Sequence, residues 1–233
     1  MFNCQLSTSL SEIQSLFTKA GGQFCIPAVD IQRKLESIKA FVFDWDGVFN
    51  DGSKRDQTGS GFTEPDAMGT NILRFSYWLK NKSLPVTAII TGEENESALF
   101  LGKREHFTSL YFKASNKLKS FEHFLKSNNL QGHEVAFVFD DVLDLAVAGQ
   151  CGIRLAAHRK SNPLFNEYIV DNHLVDYLTS TNQFAVREAC ELLIGLHENY
   201  DEAIFNRMRF SETYQLYLQQ RQLVETVVFT GIS

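Results

Sequence analysis

Short apolar runs that stop abruptly at polar or acidic residues organise the middle of this chain. Phe41-Val42-Phe43 leads into Asp44-Trp45-Asp46-Gly47, Val86-Thr87-Ala88-Ile89-Ile90 into Thr91-Gly92, and Val135-Ala136-Phe137-Val138-Phe139 into Asp140-Asp141. Runs of this length read as buried strands, and amphipathic helical patterns lie between them. The alternation predicts βαβ units and a parallel sheet covered on both faces. Helices are expected to begin near Asp66, Asn95, Asn116 and Val142.

Outside this region the pattern is helical. Ser11-Glu12-Ile13-Gln14 has capping-box spacing ahead of Leu16 and Phe17, and Gly21-Gly22 suits the end of a short helix. After Leu193, apolar residues recur at helical spacing at Ile204, Met208, Tyr214, Leu216, Leu218 and Leu223, which reads as an added tail whose stripe packs on the core or on a partner. Val227-Val228-Phe229 makes a short apolar end. The expected organisation is a helical extension over 1–38, a core over 39–195 and a helical tail over 196–233.

Composition narrows the class. With 233 residues, 44% hydrophobic and 20 phenylalanines, the chain can bury one substantial aromatic core. A net charge of −6 without a long basic block argues against a nucleic-acid surface while leaving room for a local basic pocket. Cys4, Cys25, Cys151 and Cys190 show no CxxC spacing, so reduced structural thiols are expected rather than zinc or a disulfide framework. Neither a signal-type leader nor a run approaching about 18 apolar residues is present, which predicts no membrane partner and a cytoplasmic location.

The acidic run ends carry the candidate chemistry. Strand side chains alternate, so Asp44 and Asp46 project to one side and can work as a pair, one attacking while the other shuttles protons. The plain alternative is a strand followed by an Asp-Gly turn. Asp140, Asp141 and Asp144 can cap the helix near Val142, although three carboxylates exceed that need. Thr91 offers a hydroxyl and a backbone N–H, and Lys117, after Asn116, offers a compact ammonium, both suited to phosphoryl oxygens; a solvent-facing lysine is the alternative.

The ordered set Asp-x-Asp-Gly-Val, Ile-Thr-Gly, Lys and Asp-Asp-x-x-Asp resembles the haloacid dehalogenase-like phosphohydrolases. Asp-Gly-Val-x-x-Asp-Gly followed by Ile-Thr-Gly is similar to their small branch of 3-deoxy-D-manno-octulosonate 8-phosphate and sialic-acid-type 9-phosphate phosphatases. The resemblance spans about residues 39–193 and implies an α/β fold, a Rossmann-like three-layer sandwich with a central parallel sheet and a small β-hairpin in place of a cap. Residues 52–62 leave no room for a folded cap; they form that hairpin, used in tetramer assembly, or a plain surface hairpin.

By the same resemblance, Asp44 is the nucleophile, Asp46 the acid and base, and Thr91 and Lys117 complete the catalytic set. Mg²⁺ would be held by Asp44, the Asp46 carbonyl and Asp140, with Asp141 or Asp144 supporting from further out, and Gly92 and Glu93 would face the substrate. The implied substrate is a phosphorylated sugar acid, and the implied assembly a homo-oligomer.

Three departures bear on this. Phe139 replaces a glycine, which would shift the backbone presenting Asp140. Glu93 stands where an arginine binds the sugar acid, so another cation or water must intervene for an anionic substrate. Ser180-Thr181-Asn182-Gln183 replaces a glycine-rich lead before Ala185-Val186-Arg187-Glu188, leaving Arg187 as a surface ion-pair partner or a contributor to a neighbouring pocket. The readings at this point are a phosphatase, a catalytically impaired relative acting as a binding or assembly module, and an enzyme passing its phosphoryl group to another acceptor.

Overall fold

Three apolar runs lie side by side at the centre of one sheet. The computed structural model describes residues 9–54 and 59–232, so Cys4 and part of the expected hairpin lie outside the described residues. In chain order the elements are α1 (Leu10–Lys19), β1 (Gln23–Phe24), α2 (Ala28–Leu35), β2 (Ala40–Phe43), α3 (Glu64–Asn81), β3 (Val86–Ile90), α4 (Glu96–Arg104), β4 (Ser109–Phe112), α5 (Lys117–Ser127) and β5 (Val135–Phe139). There follow α6 (Leu145–Ala148), β6 (Ile153–Ala156), α7 (Pro163–Asp171), β7 (Tyr177–Leu178), α8 (Ala185–Leu196), α9 (Tyr200–Met208), α10 (Glu212–Gln222) and β8 (Val227–Thr230).

The strands run in the order β1-β7-β6-β5-β2-β3-β4-β8, parallel throughout except for β1 against β7. Alternation along β2 divides the core. Phe41 and Phe43 pack with Leu73 and Phe75 of α3 and Leu193 of α8, whereas Ala40 and Val42 pack with Phe121 and Phe124 of α5 and Ile169 of α7. The result is the three-layer α/β sandwich the alternation predicts, with helices on both faces.

Strands from the segments before and after the central runs join this sheet, β1 beside β7 and β8 beside β4. Ser9, rather than Ser11, caps α1: its Oγ accepts from Glu12 N–H at 3.3 Å and Glu12 accepts from Ser9 N–H at 2.7 Å. A carboxylate closes that box better than the Gln14 amide, which instead accepts from Ala28 N–H at 3.2 Å and ties α1 to α2. Gly21, at φ +103°, ends α1 as expected: Gly21 N–H donates to Thr18 O and Gly22 N–H to Phe17 O. In the tail, α9 and α10 precede β8, where Val227-Val228-Phe229 pairs in parallel with β4.

Phe139 is absorbed by the core rather than displacing the site. Its ring stacks on Phe137 at 5.6 Å, and its carbonyl accepts from Ala157 N–H at 2.8 Å, so the β5 ladder runs unbroken to Asp140. No helix among the described residues is long and apolar enough to cross a membrane.

Candidate active site

Because β5, β2 and β3 are parallel neighbours, their carboxyl ends deliver Asp140, Asp44 and Thr91 to one edge, where open α/β sheets form their clefts. Lys117 arrives from the start of α5, capped by Asn116, whose Oδ1 accepts from Lys119 N–H at 3.3 Å. These residues line a cavity of about 620 Å³ together with Asp46, Lys54, Gly92, Glu93 and Arg159.

At its floor, Lys117 Nζ donates to Asp44 Oδ1 at 2.6 Å and to Asp144 Oδ1 at 2.7 Å. Oxygens of Asp44, Asp140 and Asp144, all buried, lie within 4.8 Å of one another. Burial, and next the charge of Asp144, push the Asp44 carboxyl well above its usual range against the pull of Lys117. Asp140 is pushed up to about 6 by burial, opposed by Arg159 and reinforced by Asp144. Burial alone would depress the Lys117 ammonium, but Asp44 and Asp144 hold its pKa above its ordinary value. Buried oxygen ligands with excess negative charge suit a hard divalent cation.

Of the two aspartates expected to support a metal from further out, Asp144 stands inside this trio. Asp141 is exposed and turns to the 3₁₀ turn at Val142–Asp144, its Oδ1 accepting from Val142 N–H at 2.7 Å. The capping reading therefore describes Asp141 and one oxygen of Asp144, whose Oδ2 accepts from Asp141 N–H at 3.3 Å while its Oδ1 reaches inward to Lys117. Thr91 requires a correction: its backbone N–H is taken by Tyr111 O at 2.9 Å as the β3–β4 ladder continues. Only its hydroxyl, which accepts from Glu93 N–H at 3.4 Å, keeps a proton to donate.

Asp46 stands apart from the carboxylate trio. Its Oδ1 accepts from the hydroxyl of Ser60, and its Oδ2 lies 3.7 Å from Lys54 Nζ. Lys54 is equally 3.7 Å from Glu93 Oε1, on an exposed side chain beside the exposed Gly92. Arg187 pairs with Glu191 on α8 at 2.5 Å, the surface ion pair of the two alternatives, while its backbone N–H caps onto Asp66 at 2.9 Å.

Gly47 explains the Asp-Gly step. At φ +85°, a side chain there would begin 1.8 Å from Arg159 Nη2 and 2.0 Å from Asp140 Oδ2, so only glycine admits the Arg159–Asp140 ion pair of 2.6 Å. Asn50 holds the same loop: its Oδ1 accepts from Gly47 and Gly52 N–H at 3.1 and 2.9 Å, and its Nδ2 donates to Trp45 O and Gly61 O.

No family model matches the chain. It is 29% identical over 182 residues to the 3-deoxy-D-manno-octulosonate 8-phosphate phosphatase of Escherichia coli strain B / BL21-DE3, covering 76% of this chain and 89% of that protein. The Yersinia pestis phosphatase of the same name, as a solved structure, is 25% identical at a TM-score of 0.58, over 74% of this chain and 89% of that one. The chain is similar in sequence and fold to these phosphatases. The fold agrees with a second solved structure, the Moraxella catarrhalis phosphatase of that name in complex with magnesium, phosphate and KDO, at a TM-score of 0.63 and 24% identity over 76% of this chain and 98% of that one.

Within this site, sequence reasoning missed Asn50, Lys54, Ser60 and Arg159. Asn50 and Lys54 carried a partial signal, lying within a few residues of Asp44 and Asp46 in a polar loop. Arg159 carried none, being a lone arginine beyond β6 that only the β5–β6 pairing brings to Asp140.

Proposed function

We propose that this protein is a Mg²⁺-dependent phosphatase that cleaves a phosphomonoester of an acidic sugar, such as a 3-deoxy-octulosonate or nonulosonate phosphate, through an aspartyl-phosphate on Asp44. The observation that carries the reading is Lys117 holding Asp44 and Asp144 at 2.6 and 2.7 Å in a buried pocket with Asp140. The names of the relatives support the substrate class.

An Asp44 oxygen attacks phosphorus as the bond to the sugar oxygen breaks, and Asp46 delivers the proton that oxygen needs. Water then attacks phosphorus, Asp46 takes its proton, and the Asp44 carboxylate is regenerated with release of phosphate. Lys117 and the Thr91 hydroxyl, both buried, donate to phosphoryl oxygens, and donors held out of water are worth most there. Asp44, Asp140, the Asp46 carbonyl and Asp144 would hold the metal, which offsets the repulsion between carboxylate and phosphate.

Residues 39–195 form the proposed catalytic core, with 1–38 and 196–233 as extensions. A homotetramer in the cytoplasm belongs to the same proposal, and light scattering tests the assembly.

Phosphate release from a panel of phosphorylated sugar acids, with and without Mg²⁺, tests the activity. Asp44→Asn should abolish it with the fold intact, and wild-type protein quenched during turnover should carry a phosphoryl adduct on Asp44 by peptide mass spectrometry. Turnover by Asp44→Asn near the wild-type rate sinks the mechanism, and no release from any substrate favours the impaired relative.

A further inference from the structure

The cations lining this pocket differ in how firmly they are held. Lys117 is buried between two carboxylates at hydrogen-bond distance, and Arg159 pairs with Asp140 at 2.6 Å. Lys54 is half exposed, and both of its carboxylate neighbours, Asp46 and Glu93, lie at 3.7 Å, beyond a direct hydrogen bond. Neither carboxylate takes its three N–H donors, and among the described residues these are left for an incoming acceptor while its charge offsets the anion at Glu93.

We propose that Lys54 is the specificity-determining cation of this pocket, binding the carboxylate of the sugar acid while Asp44 receives the phosphoryl group; this rests on the phosphatase reading above. Glu93 leaves the position without an arginine fork, and a flexible ammonium supplies the charge from the opposite loop. The two carboxylates flank Lys54 at 3.7 Å where it lines the cavity, and neither grips it closely enough to compete with a substrate carboxylate at hydrogen-bond distance. A point charge on a long stem also demands less of the carboxylate's orientation than a planar guanidinium does. The site then suits sugar acids of more than one chain length.

Lys54→Met and Lys54→Arg, compared with wild type on 3-deoxy-D-manno-octulosonate 8-phosphate and on glucose 6-phosphate, test this. The methionine variant should lower the acid-to-neutral ratio of kcat/KM by about tenfold or more, mostly through KM, and arginine should restore most of it. Equal losses on both substrates with a displaced pH–rate profile would instead make Lys54 a positioning residue for Asp46, and an unchanged ratio would also overturn the proposal.

Calorimetric binding of unphosphorylated 3-deoxy-D-manno-octulosonate, with Mg²⁺ and inorganic phosphate present, separates the two readings. Binding that weakens in Lys54→Met supports the carboxylate site even if neither phosphate ester is hydrolysed, an outcome that would overturn only the phosphatase reading. Equal binding by wild type and Lys54→Met, or none by either, overturns the role of Lys54.

Discussion

Ser60 gives its only hydroxyl proton to Asp46. Its oxygen accepts from Trp45 Nε1 and from Asn95 Nδ2 at 3.0 Å each, so both acceptor sites are filled and the proton has one destination, Asp46 Oδ1. A residue from the loop after the Asp-x-Asp segment thus aims the proposed acid and base, and the buried Trp45 between the two aspartates serves as the strut.

Ser60→Ala should therefore reduce kcat by about 10–100-fold with KM little changed, less than the roughly 10²–10⁴-fold expected of Asp46→Asn. Steady-state kinetics on both variants reads the difference. A loss under twofold in Ser60→Ala would show that Asp46 needs no such orientation.

Asp140 links metal binding to pH. Its carboxyl is pushed up to about 6, so the metal-free fold favours the neutral form, and the stability this contributes is lost as pH rises from the ordinary 3.8 through about 6. A divalent cation needs the ionised form, so the rise in Tm produced by saturating Mg²⁺ should grow between pH 5 and 7.5 and shrink in Asp140→Ala. A thermal shift of equal size at every pH would contradict this.

Glu93→Arg should favour acidic substrates. It removes an exposed anion 3.7 Å from Lys54 and introduces a fork able to bind a carboxylate through two charge-assisted hydrogen bonds. The ratio of kcat/KM for 3-deoxy-D-manno-octulosonate 8-phosphate over a neutral hexose phosphate should rise, tenfold for each ~1.4 kcal/mol of differential binding. If the variant folds and binds Mg²⁺ with the ratio unchanged, Glu93 does not face the substrate carboxylate.

His197 makes the α3–α8 contact sensitive to acid. Burial, and then Lys80, hold its imidazole down to about 3, and its Nδ1 lies 2.9 Å from Ser76 Oγ, whose proton goes to Asn199 Oδ1 at 2.6 Å. The unfolded chain protonates His197 below about 6.5 while the folded chain does not, so stability falls with pH below that point by up to about 1.4 kcal/mol per unit. Denaturant melts at pH 7.5, 6 and 5 should show a shallower acid loss in His197→Gln; parallel curves would exclude this histidine as a source.

The alternating apolar runs, the acidic run ends and the helix starts at Asn95 and Asn116 were readable from the chain because each depends on its own neighbours. Strand periodicity, hydrophobic burial and capping act over a few residues, so Asp44, Thr91, Lys117 and Asp140 could be placed at element ends without knowing the sheet. Their convergence followed from the parallel alternation, since successive βαβ units bring the carboxyl ends of their strands to one edge.

What only the tertiary structure decided depends on distance along the chain. Asp141 and Asp144 are equivalent in sequence, and the turn at Val142–Asp144 sends one to solvent and the other to Lys117. Ser60, Lys54 and Arg159 acquire their partners when a loop folds back or two strands pair, and a polar residue in a polar loop leaves no periodic trace of that. Val227-Val228-Phe229 becomes β8 only because β4 offers it an unpaired edge: a strand's hydrogen bonds belong to its neighbour, whereas a helix carries its own.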